Sequence, residues 1–373
     1  MDKIKRFVDC YIATETCNLQ CHYCYIAQLK KFNNKLVSFP HPISFIRKAL
    51  SKERLGGVCV FNFCAGGETL LSPEVLPLAR ELIKEGHYVG IVTNGTVSQR
   101  FLEIQEWSKE ETARLFFKFS FHFLELKRKN WMNRFFENVY NAKAAGASFT
   151  VEITPSDELV PYIEEVKSIC MEKVGALCHV TIARNDTKKG IDLLSQYTFE
   201  EYKNIWGSFD SELFRFKSEL YQVKRKEFCY AGDWSIYVNL TSGDVYKCNC
   251  GYIIDNIYRD VEQPIKFEPV GHNCSLAYCY NGHAWLAFGD IPSLKSPLYA
   301  DERNRVCADG SEWLQPEMKA IMSTKLYESN SEYSGGKKLK ISTLDKTKKM
   351  KLKCSSVVGR VKMIIKHMGV SGE

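Results

Sequence analysis

Cys17-Asn18-Leu19-Gln20-Cys21-His22-Tyr23-Cys24 puts three cysteines on one short stretch. Thiolates are the usual protein ligands of iron–sulfur clusters, and three of them can hold three irons of a four-iron cube. The fourth iron is then open to bind a small molecule directly. A zinc knuckle of the three cysteines with His22 is the alternative, but structural zinc sites are usually assembled from two separated ligand pairs and not from one crowded loop.

Working outward, residues 7–14 read as a strand that feeds this loop, and short strand-like segments recur at 58–64, 88–93, 115–123, 149–153 and 179–183. Each is rich in β-branched or aromatic residues. Helical stretches lie between them. Ser72-Pro73 predicts an N-cap with proline at the first position and Gly86 a stop; residues 134–145 and 158–173 read as helices ended by Gly146 and Gly175. Six such β/α units predict an α/β fold with a parallel sheet flanked by helices.

The strand ends carry polar groups. Gly66-Gly67-Glu68 follows the second strand, where absent side chains allow close backbone approach and a carboxylate suits an ammonium group. Thr93-Asn94-Gly95-Thr96 ends the third, Ser120 and His122 lie toward the end of the fourth, and Glu152 near the end of the fifth. Ligands bind at the strand ends of one face of a parallel barrel. Equally, such residues serve as turn, cap or solvated groups.

The three-cysteine run, with Tyr23 just before its third cysteine, together with Gly66-Gly67-Glu68 resembles the radical SAM (S-adenosylmethionine) superfamily. The resemblance implies a partial (β/α)6 barrel over residues 1–200. It also implies a [4Fe–4S] cluster on Cys17, Cys21 and Cys24 with SAM on the open iron. Tyr23, Gly66, Gly67, Glu68, Thr93, Asn94 and Ser120 are the matching candidates for contacts around the cofactor.

A second constellation comprises Cys229, Cys248, Cys250, Cys274 and Cys279. A hairpin is expected around Thr241-Ser242-Gly243-Asp244, with strands at 234–240 and 245–249. Thirteen residues separate Cys229 from Gly243 and four separate Gly243 from Cys248, which resembles the opening of SPASM and shortened twitch domains. That likeness implies one auxiliary [4Fe–4S] cluster within residues 228–315, held by Cys229, Cys248, Cys274 and Cys279. Residues 201–227 then read as a helical bridge and 316–373 as a C-terminal helical segment with a basic tail. The sequence departs from the pattern in the four residues between Cys274 and Cys279, which leaves open whether Cys250 takes a place. Zinc on Cys248, Cys250, Cys274, Cys279 or His283 is the alternative. Where sulfatase-maturing relatives have an acidic base after the second hairpin cysteine, Asn249 stands, and an amide cannot accept that proton.

Composition sets the frame. The 373 residues allow two domains, and 45% hydrophobic with 25% charged residues is ordinary for a globular chain. Of the net charge of +7, residues 337–373 contribute eleven Lys or Arg against Asp345 and Glu373, which leaves the first 336 residues at −2. That balance argues against a nucleic-acid-binding body. Residues 357–368 have apolar positions at helical spacing, and a weak contact with an anionic membrane surface is one reading of the tail, a solvated tail the other. Fifteen cysteines without a signal peptide point to a reducing cytoplasm, and the membrane reading of the tail to a peripheral place at its inner membrane face. Cys10, Cys59, Cys64, Cys170, Cys178, Cys307 and Cys354 read as core residues. Trp285 and Trp313 are expected to pack a core, with Asp301, Glu302, Arg303 and Arg305 solvated.

The implied activity is that of an oxidoreductase. Reductive cleavage of SAM yields a 5′-deoxyadenosyl radical that takes hydrogen from carbon, the auxiliary cluster takes up the second electron, and a flavodoxin or ferredoxin supplies the first. Only sixteen residues precede Cys17, so the leader-binding domain frequent in peptide-modifying relatives has no room there. The expected substrate is a sugar, cyclitol or glycan precursor. A peptide-modifying maturase is the alternative, and an iron–sulfur electron-transfer protein is a third reading, against which Gly66-Gly67-Glu68 counts.

Overall fold

The computed structural model describes residues 3–188, 190–248, 251–279 and 282–344. Six strands run parallel: β1 (Arg6–Ile12), β2 (Cys59–Ala65), β3 (Tyr88–Thr93), β4 (Leu115–Ser120), β5 (Ser148–Ile153) and β6 (His179–Val180). A two-stranded ribbon follows, β7 (Arg184–Asn185) with β8 (Asp192–Leu193). The expected hairpin forms from β9 (Ser235–Asn239) and β10 (Asp244–Tyr246), and β11 (Ile253–Asn256) adds to it. The hairpin extends the first sheet: β9 lies parallel to β1, giving the order β11-β10-β9-β1-β2-β3-β4-β5-β6. Gly243 turns it with φ of 79°, a backbone state that costs other residues energy.

Side chains on successive strand residues point to opposite faces. On β1, Val8, Cys10 and Ile12 join the core against the helices, with Phe61, Phe63, Phe117 and Phe119. Each such burial contributes roughly 1.5–3 kcal/mol. Phe7, Val60, Tyr88 and Phe116 face the interior of the curved sheet, where Trp285, Phe288 and Tyr299 cover them. Trp285 and Trp313 are core residues as expected. So are Cys10, Cys59, Cys170, Cys178 and Cys307, whereas Cys64 keeps partial exposure; Cys354 lies outside the described residues.

Several boundaries differ from the sequence reading. The helix expected to begin at Ser72-Pro73 is Val75–Lys84, because Ser72 closes a 3-10 turn over Thr69–Leu71. Strand β4 stops at Ser120, and Phe123–Arg128 is already helical. The 158–173 helix opens as a 3-10 turn, Asp157–Tyr162, before Ile163–Val174. Pro161 lies within that turn and has no amide to donate. The bridge is two helices, Phe199–Gly207 and Glu212–Leu220. Glu302 and Arg303 are corrected from solvated to buried. No helix among the described residues is long and apolar enough to cross a membrane. Residues 335–344 are helical, and the amphipathic stretch read at 357–368 lies outside the described residues.

Candidate functional site

Parallel pairing of β1 to β6 brings their carboxyl ends to one rim. There Cys17, Cys21, Cys24, Gly66, Gly67, Glu68, Thr93, Asn94 and Ser120 line a single cavity, joined by His122 and Cys64. The loop is held against β2 and β3 by its own backbone and by amides. Gly67 and Glu68 donate to the carbonyls of Thr14 and Thr16 at 2.7 and 2.9 Å. A Cβ on Gly67 would sit 1.8 Å from the Thr16 carbonyl oxygen and one on Gly66 2.5 Å from that of Thr14. The glycines thus let the stretch before Cys17 lie against the second strand end. Asn94 donates to Asn18 Oδ1 at 2.7 Å and lies 3.7 Å from Cys17 Sγ, and Asn18 in turn donates to Thr96.

Glu68 is buried and fully used by the protein. One carboxylate oxygen accepts from Thr93 Oγ1 at 2.7 Å and the Leu70 amide at 2.9 Å, the other from the Asn94 amide at 2.6 Å. Burial raises its pKa and these hydrogen bonds oppose the rise. Tyr23 shares a 2.7 Å hydrogen bond with His122 Nδ1. His22 instead faces out, 2.8 Å from Glu158, both exposed.

Burial pushes the Cys17 thiol up to about 12 and raises Cys21 and Cys24 as well. A metal that binds such thiols displaces their protons and supplies the missing counter-charge. Among the described residues no three Cys, His, Asp or Glu side chains are grouped to hold a single metal ion. The three cysteines instead ring a cavity, an arrangement that suits a cluster larger than one ion.

The second set behaves alike. Cys229, Cys248, Cys274 and Cys279 line one cavity with Val270, Leu276, Trp285 and Leu286. Residues 229–232 pair with 268–271, including the two bonds between Cys229 and Gly271, which carries Cys229 toward the loop of Cys274. The hairpin supplies Cys248, and Lys224 Nζ ties the Cys274 carbonyl at 2.7 Å. Burial raises the Cys229 thiol well above its ordinary value. Asn249 and Cys250 lie outside the described residues.

Between the two cavities runs a buried ion chain that sequence reading missed. Glu152, the register partner of Ser120, sits 3.3 Å from Lys118 Nζ and 2.7 Å from Arg303, whose other amino group lies 2.8 Å from His283 Nε2. Burial pushes Glu152 up, but Lys118, Arg303 and Lys217 outweigh it and bring the carboxyl down to about 2. The only sequence signal was Glu152 at a strand end, for which solvation was an expected role.

With that geometry in view, residues 11–154 match the family model of the Radical SAM superfamily. The chain carries a radical SAM domain over that stretch. Solved structures similar to the chain include Streptococcus suis SuiB, at 13% identity over 70% of this chain and 63% of that one with a TM-score of 0.45. Another is native anSMEcpe with bound AdoMet and Cp18Cys peptide, at 15% identity, 68% and 78% coverage and a TM-score of 0.44. A third is BtrN in complex with AdoMet and 2-DOIA, at 15% identity, 69% and 80% coverage and 0.31. The chain thus spans less than two thirds of the SuiB chain it resembles. No curated protein matches the sequence.

Proposed function

We propose that this protein is a radical SAM oxidoreductase of a sugar, cyclitol or glycan precursor, with a SPASM- or twitch-like second iron–sulfur site. The observation that carries the reading is the convergence of Cys229, Cys248, Cys274 and Cys279 on a second cavity. Cys17, Cys21 and Cys24 would hold a four-iron cluster able to supply the electron for reductive cleavage of SAM, and Cys229, Cys248, Cys274 and Cys279 one able to accept an electron from the substrate. The chain's own residues bind, orient and exclude water. Cys17, Cys21 and Cys24 are the ligands of the first site, leaving one iron for SAM. Gly66, Gly67, Thr93, Asn94, Ser120 and Tyr23 would form the walls around it, and Glu68 fixes the Asn94 amide and Thr93 hydroxyl in place. A flavodoxin or ferredoxin is the class of reductant, and the basic tail is an accessory to location.

A small polar substrate fits the interior face, where Asp9, Asn62, Lys118 and Tyr237 keep partial exposure between the sites. Asn62 donates to Asp9 at 2.7 Å there. The net change that such a pair of sites would support is a two-electron oxidation, alcohol to ketone, in which the substrate gives up one hydrogen atom, one electron and one proton.

The test is anaerobic turnover of the reconstituted protein with dithionite and SAM. Sugars and cyclitols are offered in one arm and short precursor peptides in the other. One 5′-deoxyadenosine per oxidised sugar supports the reading. Oxidised peptide with untouched sugar moves the protein to the maturases, and the absence of any 5′-deoxyadenosine overturns it.

A further inference from the structure

The interior between the two cysteine pockets gathers three basic side chains, Lys118, Lys217 and Arg303, about Glu152. Lys217, on the helix Glu212–Leu220, is only 8% exposed and makes one hydrogen bond, 2.8 Å to Thr181 Oγ1. Among the described residues no carboxylate lies within ion-pair distance of it, so the buried amine has no direct counter-ion there. Burying a charge in that state is costly unless a partner is provided. The charged and titratable groups that act on it include Glu152, Arg184, Lys118 and Arg303, and it acts in turn on His283 and Glu302. Glu152 is already committed to Lys118 and Arg303. The other carboxylate in the cluster, Glu302, is wholly buried, accepts no hydrogen bond among the described residues, and lies 3.9 Å from His283 Nε2. Burial raises it to about 8, with Arg303 and Lys217 opposing the rise. After burial itself, Arg184, Lys118 and Arg303 draw Lys217 down to about 7, with Glu152 alone opposing.

We infer that Lys217, with Lys118 and Arg303 behind it, forms an anion pocket that receives an acidic group of the substrate. The inference rests on the oxidoreductase reading for the word substrate, and on this chain's side chains alone for the pocket. Its place fits that use. Glu152 is the register partner of Ser120 on the wall of the first cavity, and Arg303 bonds His283, next in sequence to Gly282 on the wall of the second. An acid held there puts a neighbouring carbon between the two sites. The class of ligand is a sugar or cyclitol bearing a carboxylate or a phosphate. Both offer an anionic oxygen to an ammonium, and only Arg303 among these three presents a planar fork.

The test is equilibrium binding to the reconstituted, SAM-loaded protein, followed by calorimetry, with glucose 6-phosphate, glucuronate and glucose as probes. At least one acidic sugar should bind tenfold or more tighter than glucose, and which one does tells phosphate from carboxylate. Lys217→Met should lose that tenfold preference while Lys217→Arg retains most of it, with iron content and circular dichroism showing that both are folded. Equal binding of all three sugars, or an undiminished preference in a folded Lys217→Met, overturns the pocket. The outcomes separate from those of the underlying reading. Acid binding without SAM cleavage leaves the pocket standing and removes the oxidoreductase; SAM cleavage without acid preference does the reverse.

Discussion

Three thiols on one eight-residue loop, and four gathered from separate segments, make two different pockets in one molecule. The first sets hydrogen-bonding groups, Thr93, Asn94, Ser120 and His122, and the glycines before Glu68 among apolar side chains such as Leu19, Ile26 and Phe32. The second is walled by Val270, Leu276, Trp285 and Leu286. A cluster with three protein ligands needs polar company for whatever completes it, whereas one with four needs only exclusion of water and a low-dielectric shell. On the proposed function, the contrast fits chemistry at the first pocket and electron acceptance at the second.

The largest effect expected from that contrast is at the first pocket. Replacing Cys17, Cys21 and Cys24 together by Ala should abolish 5′-deoxyadenosine formation and lower iron from about eight to about four per chain. Chromatography of the nucleoside and iron analysis with Mössbauer spectra check it. Nucleoside above a no-protein control in this variant would sink the assignment. The mirror variant, Cys229→Ser with Cys274→Ser, should also fall to about four irons yet still cleave SAM. What it should lose is coupled product, so that nucleoside forms without oxidised substrate. Equal loss of cleavage in both variants would erase the distinction, and stoichiometric zinc in place of the second iron set would give the second pocket to a structural metal.

How much of this was legible beforehand follows from how each part is encoded. The cysteine loop and the Gly66-Gly67-Glu68 run are local, so their spacing carries the chemistry without the fold. The six strands were visible because burial on both faces of a parallel sheet leaves continuous apolar runs. The hairpin was visible through Gly243. The ion chain was not, because Glu152, Arg303 and His283 come from distant parts of the sequence, and no period or spacing links a strand-end glutamate to an arginine in a C-terminal loop. The same separation explains why Glu302 and Arg303, charged residues in a loop, read as solvated. Glu68 was legible as a site residue but not in its detail: its oxygens accept from Thr93, Leu70 and Asn94.

The ion chain is the seam between the two pockets, and a third prediction tests it. Glu152→Gln removes the charge shared by Lys118 and Arg303, and breaking a buried ion pair on one side costs about 3–5 kcal/mol. The urea midpoint at pH 7 should fall accordingly. Its pH dependence has a definite sign. The folded carboxyl, at about 2, lies below its ordinary 4.5. The unfolded chain therefore binds more protons between those values, so the stabilisation is complete above about pH 4.5 and is lost as pH falls toward 2. The gap between wild type and Glu152→Gln, measured on cluster-free protein, should narrow over that window. A gap constant from pH 7 to pH 3 would show that shape rather than charge holds the seam.

The smallest effect distinguishes the pockets by a single methyl group. In Gly67→Ala the added Cβ would fall 1.8 Å from the Thr16 carbonyl oxygen, a backbone atom two bonds from the loop's next residue, Cys17. Backbone cannot swing aside as a side-chain tip can, so the loop must shift, at a cost of about 1–3 kcal/mol typical of overpacking. In Gly282→Ala the nearest atom is Cys279 Cβ at 3.2 Å. With φ of −88° the backbone at Gly282 already suits an L residue. Restricting the unfolded chain offsets the tight contact there, and the net change should stay within about 1 kcal/mol of zero. Iron counts on the two variants should therefore diverge, with the first set depleted by Gly67→Ala and the second intact in Gly282→Ala. If Gly67→Ala kept a full first set of iron, the close backbone approach would not be what holds the three-cysteine loop. Depletion of the second set in Gly282→Ala would mean that the four-cysteine pocket is as tightly gauged as the first.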